Sequence, residues 1–145
     1  MAVTAGQVAT LRAFLARDFD RYERLYEQLD PAAARSGYTA LIAAAFVEAV
    51  ERRFSADSTD AAVVEFVAAA RARFDERGDR IDPQAAERMI RAVHTDEEIN
   101  DLDTKTVVGT EVILLTALVA DEGLDDAAID ELLAKARKLA DEWTN

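Results

Sequence analysis

The stretch Val107–Ala120, VVGTEVILLTALVA, decides the fold. It is the one long, nearly uninterrupted apolar run in the chain. It is longer than a typical strand and shorter than the roughly 20 apolar residues that span a bilayer. It therefore reads as a buried central helix, over about 104–121, that the other helices wrap. Thr104, Thr106, Thr110 and Thr116 mark its less apolar side. Gly109 and Ala117 share that side, where another backbone can approach closely. Glu111 points the other way, toward Val107, Val108, Leu114, Leu115 and Leu118. Burying a lone carboxylate is costly, so this group must be hydrogen-bonded, be ion-paired or hold a proton. Two readings stand: a structural partner for an arginine, tyrosine or histidine of another helix, or a ligand-binding or proton-shuttling carboxylate.

The chain of 145 residues is long enough for one domain, 1–145, with a real core. With no cysteine, it has no disulfide and no thiolate metal site, which fits a reducing cytoplasm. The opening MAVTAGQVATLRAFLARDFD lacks a basic segment followed by an apolar one, so no signal peptide is expected. Abundant alanine with only 5 Gly and 2 Pro favours helix, and the Ala/Arg/Asp/Val bias fits a GC-rich, bacterial genome. The net charge of −12 is uneven: residues 1–80 hold 11 Lys+Arg and 13 Asp+Glu, leaving 6 and 16 for residues 81–145. So acidic a chain repels phosphate backbones, and neither nucleic acid nor membrane is expected as a partner.

Outward from the central stretch, residues 4–29 read as one long helix with Val8, Leu11, Leu15, Phe19, Tyr22, Tyr26 and Leu29 on one face. Its aromatic stripe is either core packing or a dimer seam. Asp30-Pro31 stops it. A second helix follows over about 38–54, where Ala43, Ala44 and Ala45 permit tight packing. Ser58 or Thr59 caps a third over about 60–77, and Gly78 ends it. Asp82-Pro83 opens a fourth. Thr95 to Glu98 has the spacing of a capping box, so a short helical piece is expected before Asp103. The last helix spans about 126–143, capped by Asp125, with Ile129, Leu132, Leu133, Ala136, Ala140 and Trp143 inward.

The third and last helices echo one another. DAAVVEFVAAARARFDE (60–76) aligns without gaps on DAAIDELLAKARKLADE (126–142), with nine identities in 17 positions. Each follows an apolar helix and a short turn, and each half opens on Asp-Pro. The pattern points either to a duplicated helical hairpin, with extra residues around 94–106 in the second copy, or to two Ala-rich helices of the same phase.

Few residues suggest chemistry. His94, Glu97, Glu98 and Asp101 stand at i, i+3, i+4 and i+7, which on a continuous helix would set a divalent-cation site on one face. A helix start at Thr95 would destroy that spacing. The acidic run 96–103 lacks the glycine and closing glutamate of an EF-hand loop. A single histidine, with Arg91 three residues before it, excludes the paired Glu-x-x-His pattern of di-iron bundles. There is no nucleophile elbow, no Walker A loop and no GxGxxG. LVADEGLDDAAIDELL (118–133) resembles the helix–acidic turn–helix signature of the tellurite-resistance B-like helical family through Ala120, Asp121, Leu124 and Asp125. Its glycine is displaced to Gly123, and Ala128 stands where the family's pattern has a glutamate, so no metal site is carried over.

These readings converge on an all-α antiparallel bundle of five to six helices. The leading expectation is a non-enzymatic interaction or scaffold protein that self-associates, with no cofactor. The alternative is a small-ligand or divalent-metal-binding protein using Glu111, His94 and the 94–103 segment; an enzyme comes third.

Overall fold

The computed structural model describes residues 3–95 and 97–144, and among these every regular element is helical. The chain order is α1 (Ala5–Leu15), α2 (Phe19–Gln28), a one-turn α3 (Pro31–Ala33) running into a π-helical turn (Ala34–Tyr38), α4 (Thr39–Arg53), α5 (Asp60–Phe74), α6 (Pro83–Ala92), α7 (Thr104–Asp121) and α8 (Asp126–Thr144).

Side-chain caps set most boundaries. Thr4 and Gln7 form a reciprocal capping box on α1. Thr59, Asp82, Asp103 and Asp125 accept first-turn N–H groups of α5, α6, α7 and α8. Gly123 takes positive φ just past the end of α7, and Gly78 does so in the turn that follows Asp75.

Residues 4–29 are two helices and not one. Arg17 adopts φ 61°, its N–H bonds to the Phe14 carbonyl, and the Asp18 N–H reaches back to Ala13. This is a Schellman ending with arginine where glycine is usual. Asp18 then caps α2 through the Arg21 N–H. The third helix stops at Phe74 because Asp75 turns its carboxylate onto the N–H groups of Arg80 and Ile81. Residues 97–103 form turns and no helix: Thr95 accepts from Glu97 but its hydroxyl also closes onto Arg91, and Asp96 lies outside the described residues.

Helix α4 lies at the middle of the packing, with its most extensive contacts to α8 and α7. Leu41, Ala44, Ala45, Phe46, Ala49 and Val50 are buried along it. α7 packs on α4 and α5 through Leu114, Leu115, Ala117 and Leu118, while Val107, Val108, Val112 and Ile113 are only half-buried. No backbone approaches Gly109, which faces open space. Trp143, expected inside, is half exposed near the end of α8.

The echoing helices bury the same positions: Val63, Phe66, Val67 and Ala70 in α5 match Ile129, Leu132, Leu133 and Ala136 in α8. The apolar helices match as well. Leu41, Ile42, Ala45, Phe46, Ala49 and Val50 have the spacing of Thr110, Glu111, Leu114, Leu115, Leu118 and Val119, all twelve buried.

A Cβ on Gly109 would touch nothing within 4 Å, and glycine in a helix interior carries an entropic cost. Gly109→Ala is therefore expected to raise the unfolding free energy by roughly 0.5–1 kcal/mol, read from the midpoint of chemical denaturation at unchanged slope.

Candidate functional site

Glu111 is buried on the face of α7 that meets α4 and α5, with 7 % of its surface exposed. Among the described residues its carboxyl has no hydrogen-bond or ion-pair partner. Desolvation therefore acts unopposed and pushes its pKa up to about 7. One residue earlier, the Thr110 hydroxyl is also buried without a partner among the described residues.

The other expected site residues do not gather around them. His94 leaves the end of α6, and its Nε2 lies 3.0 Å from the Phe54 carbonyl, in a small cleft with Ser55, Ser58 and Ile90. Glu97 and Asp101 turn to Arg88, whose guanidinium bonds both Asp101 oxygens at 2.8 and 3.0 Å and the Glu98 carbonyl at 2.9 Å. The hydrogen bond to Arg88 comes first among the causes that lower the Asp101 pKa. Arg88 thus serves as the hub that folds the 97–101 segment back on α6, a role that spacing along the sequence did not reveal. Among the described residues no group of three or more His, Asp or Glu side chains could hold a metal ion. The four residues proposed as ligands sit on a broken helix, with two carboxylates already engaged by arginine.

A second buried acid is fully satisfied. Burial alone would raise Asp75, but the N–H groups of Ile81, Arg80 and Asp79, with Arg71, hold it below the ordinary carboxylate range. It is a loop anchor, and the contrast sets Glu111 apart.

The aromatic stripe is a surface feature. None of the residues in α2 is buried; Phe19 and Tyr26 are 51 % and 53 % exposed. A ladder of rings ties the helix down from one side: Phe14 meets Tyr22 edge-on at 5.1 Å, Tyr22 meets Tyr26 at 5.7 Å, and Tyr26 meets Tyr38 at 6.3 Å. Tyr22 and Tyr38 share a hydroxyl hydrogen bond, and burial raises the Tyr38 phenol well above its usual value.

No protein-family model, curated protein or solved structure matches this chain. No helix among the described residues is long and apolar enough to cross a membrane.

Glu111 makes stability depend on pH in a definite direction. Its folded pKa of about 7 lies above the ordinary 4.5. The neutral carboxyl supports the fold fully below about pH 4.5, and this contribution is lost as pH rises through 7. The loss is on the order of 3 kcal/mol. Glu111→Gln cannot ionise, so it should match the parent near pH 4.5 and exceed it in stability at pH 8, as measured by urea denaturation at both. Equal stabilities at pH 8 would show that Glu111 is solvated.

Proposed function

We propose that this protein is a non-enzymatic, cytoplasmic, single-domain interaction protein that self-associates, with α2 as the seam. The observation that carries the reading is a strongly amphipathic helix with no buried residue, whose apolar face bears Phe19 and Tyr26. Exposed aromatic rings of this kind dominate interface cores. Asp20, Arg21, Glu23, Arg24 and Glu27 surround the rings, and within the described chain none of them enters an ion pair. A face with apolar rings and unpaired charges of both signs is complementary to itself, as an isologous twofold contact requires. A strongly basic or acidic partner would satisfy only one of the two signs.

The duplicated hairpin belongs to the same proposal. Matched burial in α5 and α8, and in α4 and α7, supports two copies of one unit, with α4 and α7 as the central pair and 94–106 as the addition to the second. The competing reading, a small-ligand or divalent-cation protein, keeps one supporting observation, the unpartnered Glu111; of the acids in 94–103, Glu97 and Asp101 are engaged by Arg88 and Asp103 caps α7.

Light scattering on the purified chain should give about twice 15.9 kDa. The double variant Phe19→Ser, Tyr26→Ser should return the mass to a single chain with helix content little changed, and with a lower melting temperature because the ring contacts to Phe14, Tyr22 and Tyr38 are lost. A monomeric parent at high protein concentration, or a double variant that still dimerises, removes α2 as the seam.

A further inference from the structure

Helices α1, α5 and α7 leave an open groove of about 310 Å³ beside the α1–α2 corner. That is the lower end of the size range of small-molecule pockets. Phe14, Phe19, Phe74, Val112 and Ile113 give it apolar walls, and Arg17 and Arg80 stand at its edge. This is the side of α7 opposite Glu111, so the groove is separate from that carboxyl.

Its electrostatics run against those of the molecule. The chain carries a net charge of −12, yet the charged side chains lining the groove are both arginines. Among the described residues neither Arg17 nor Arg80 enters an ion pair. The Arg17 guanidinium lies 5.7 Å from the Phe74 ring centre, and Arg73 stacks on the same ring at 5.1 Å while reaching Asp121 at 3.8 Å. Two guanidinium forks without carboxylate partners, at the mouth of an apolar trough, match a planar anion that carries a hydrophobic tail.

The backbone adds an independent observation. Arg17 occupies the left-handed position of the corner, at φ 61°. Glycine takes that conformation without strain, and the comparable corner after α7 uses Gly123 at φ 59°. At Arg17 the fold accepts strain and obtains a guanidinium aimed across Phe74. Strain of this kind gathers where a side chain has a task.

We propose that this groove binds a free monocarboxylate with an apolar tail, the tail against Phe14, Phe74 and Ile113 and the carboxylate between Arg17 and Arg80. The site shares Phe19 with the proposed seam but needs only one chain, so the scattering mass recorded beside binding separates the two readings.

Titration calorimetry with sodium decanoate, decan-1-ol and decyltrimethylammonium tests it, with scattering mass recorded in parallel. Decanoate should bind saturably, at least about tenfold tighter than the alcohol, with an affinity that falls as salt rises. The ammonium compound should not bind. Arg17→Gly keeps the corner's backbone at positive φ and removes the whole side chain with its guanidinium, so it should melt no lower than the parent and bind decanoate at least about tenfold more weakly. Arg80→Gln, on a separate loop, should weaken it likewise and serves if the first variant misfolds. Equal affinity for acid and alcohol, no saturable binding of decanoate, or full affinity in both arginine variants would overturn the proposal. So would capture by anionic phospholipid vesicles without a response to free decanoate.

Discussion

The packing of this bundle depends on how thin α4 is where it meets its neighbours. Ala44, Ala45 and Ala49 are almost completely buried, and their small side chains let α7 and α8 approach the same helix from two sides. Interaxial distance is set by the residues at the contact. Larger side chains on that face would separate α8 from α4, and with it α1, whose Arg12 is tied to Asp126 and Asp130 of α8. Leu41, Phe46 and Val50 then fill the space the alanines leave, so one helix supplies both the close approach and much of the apolar volume.

The helices themselves were legible because their ends are written in local chemistry. Thr59, Asp82-Pro83, Asp125, Gly78 and Gly123 each act within a few residues, and each boundary they mark lies where the sequence put it to within a turn or so. The break at Arg17 was hidden for the same reason. Neither glycine nor proline announces it, and the apolar positions continue in phase across it. Only Asp18, as a cap for α2, hints at a new start. The α2 stripe was readable as a stripe, but whether it faces core or solvent is decided by what packs on it, which no periodicity encodes.

Site residues were less legible because they depend on distant contacts. The position of Glu111 among apolar neighbours follows from its own helix. Arg88 gathering Glu97 and Asp101, and Phe74 held between Arg17 and Arg73, join segments whose spacing carries no signal. The expected ligands at 94–101 are not brought together among the described residues, for a local reason. Four ligands at helical spacing need a continuous helix, and α6 ends at Ala92. Past that point Glu97 and Asp101 turn to Arg88.

The matched burial of α4 and α7 sharpens the question of Glu111. Where α4 places Leu41 and Ile42 against its neighbours, α7 places Thr110 and Glu111 at the corresponding positions. The exchange puts an unbonded hydroxyl and an unpartnered carboxyl where hydrocarbon would pack. An unsatisfied buried polar group costs about 1–3 kcal/mol, so α7 is held less firmly at these positions than α4 is at the matching ones. That weakness is confined to the first half of α7, which also carries the exposed Gly109 and the half-buried Val107 and Val108. In the second half, Leu114, Leu115, Ala117, Leu118 and Val119 are all buried. The two ends of α7 therefore differ in kind, a firm anchor against α4 and α5 followed backward by a looser segment whose buried acid, Glu111, changes charge near neutral pH. If the helices are copies, this is where the second copy gave up stability, and it did so with the pair of side chains most able to respond to solvent or to a ligand.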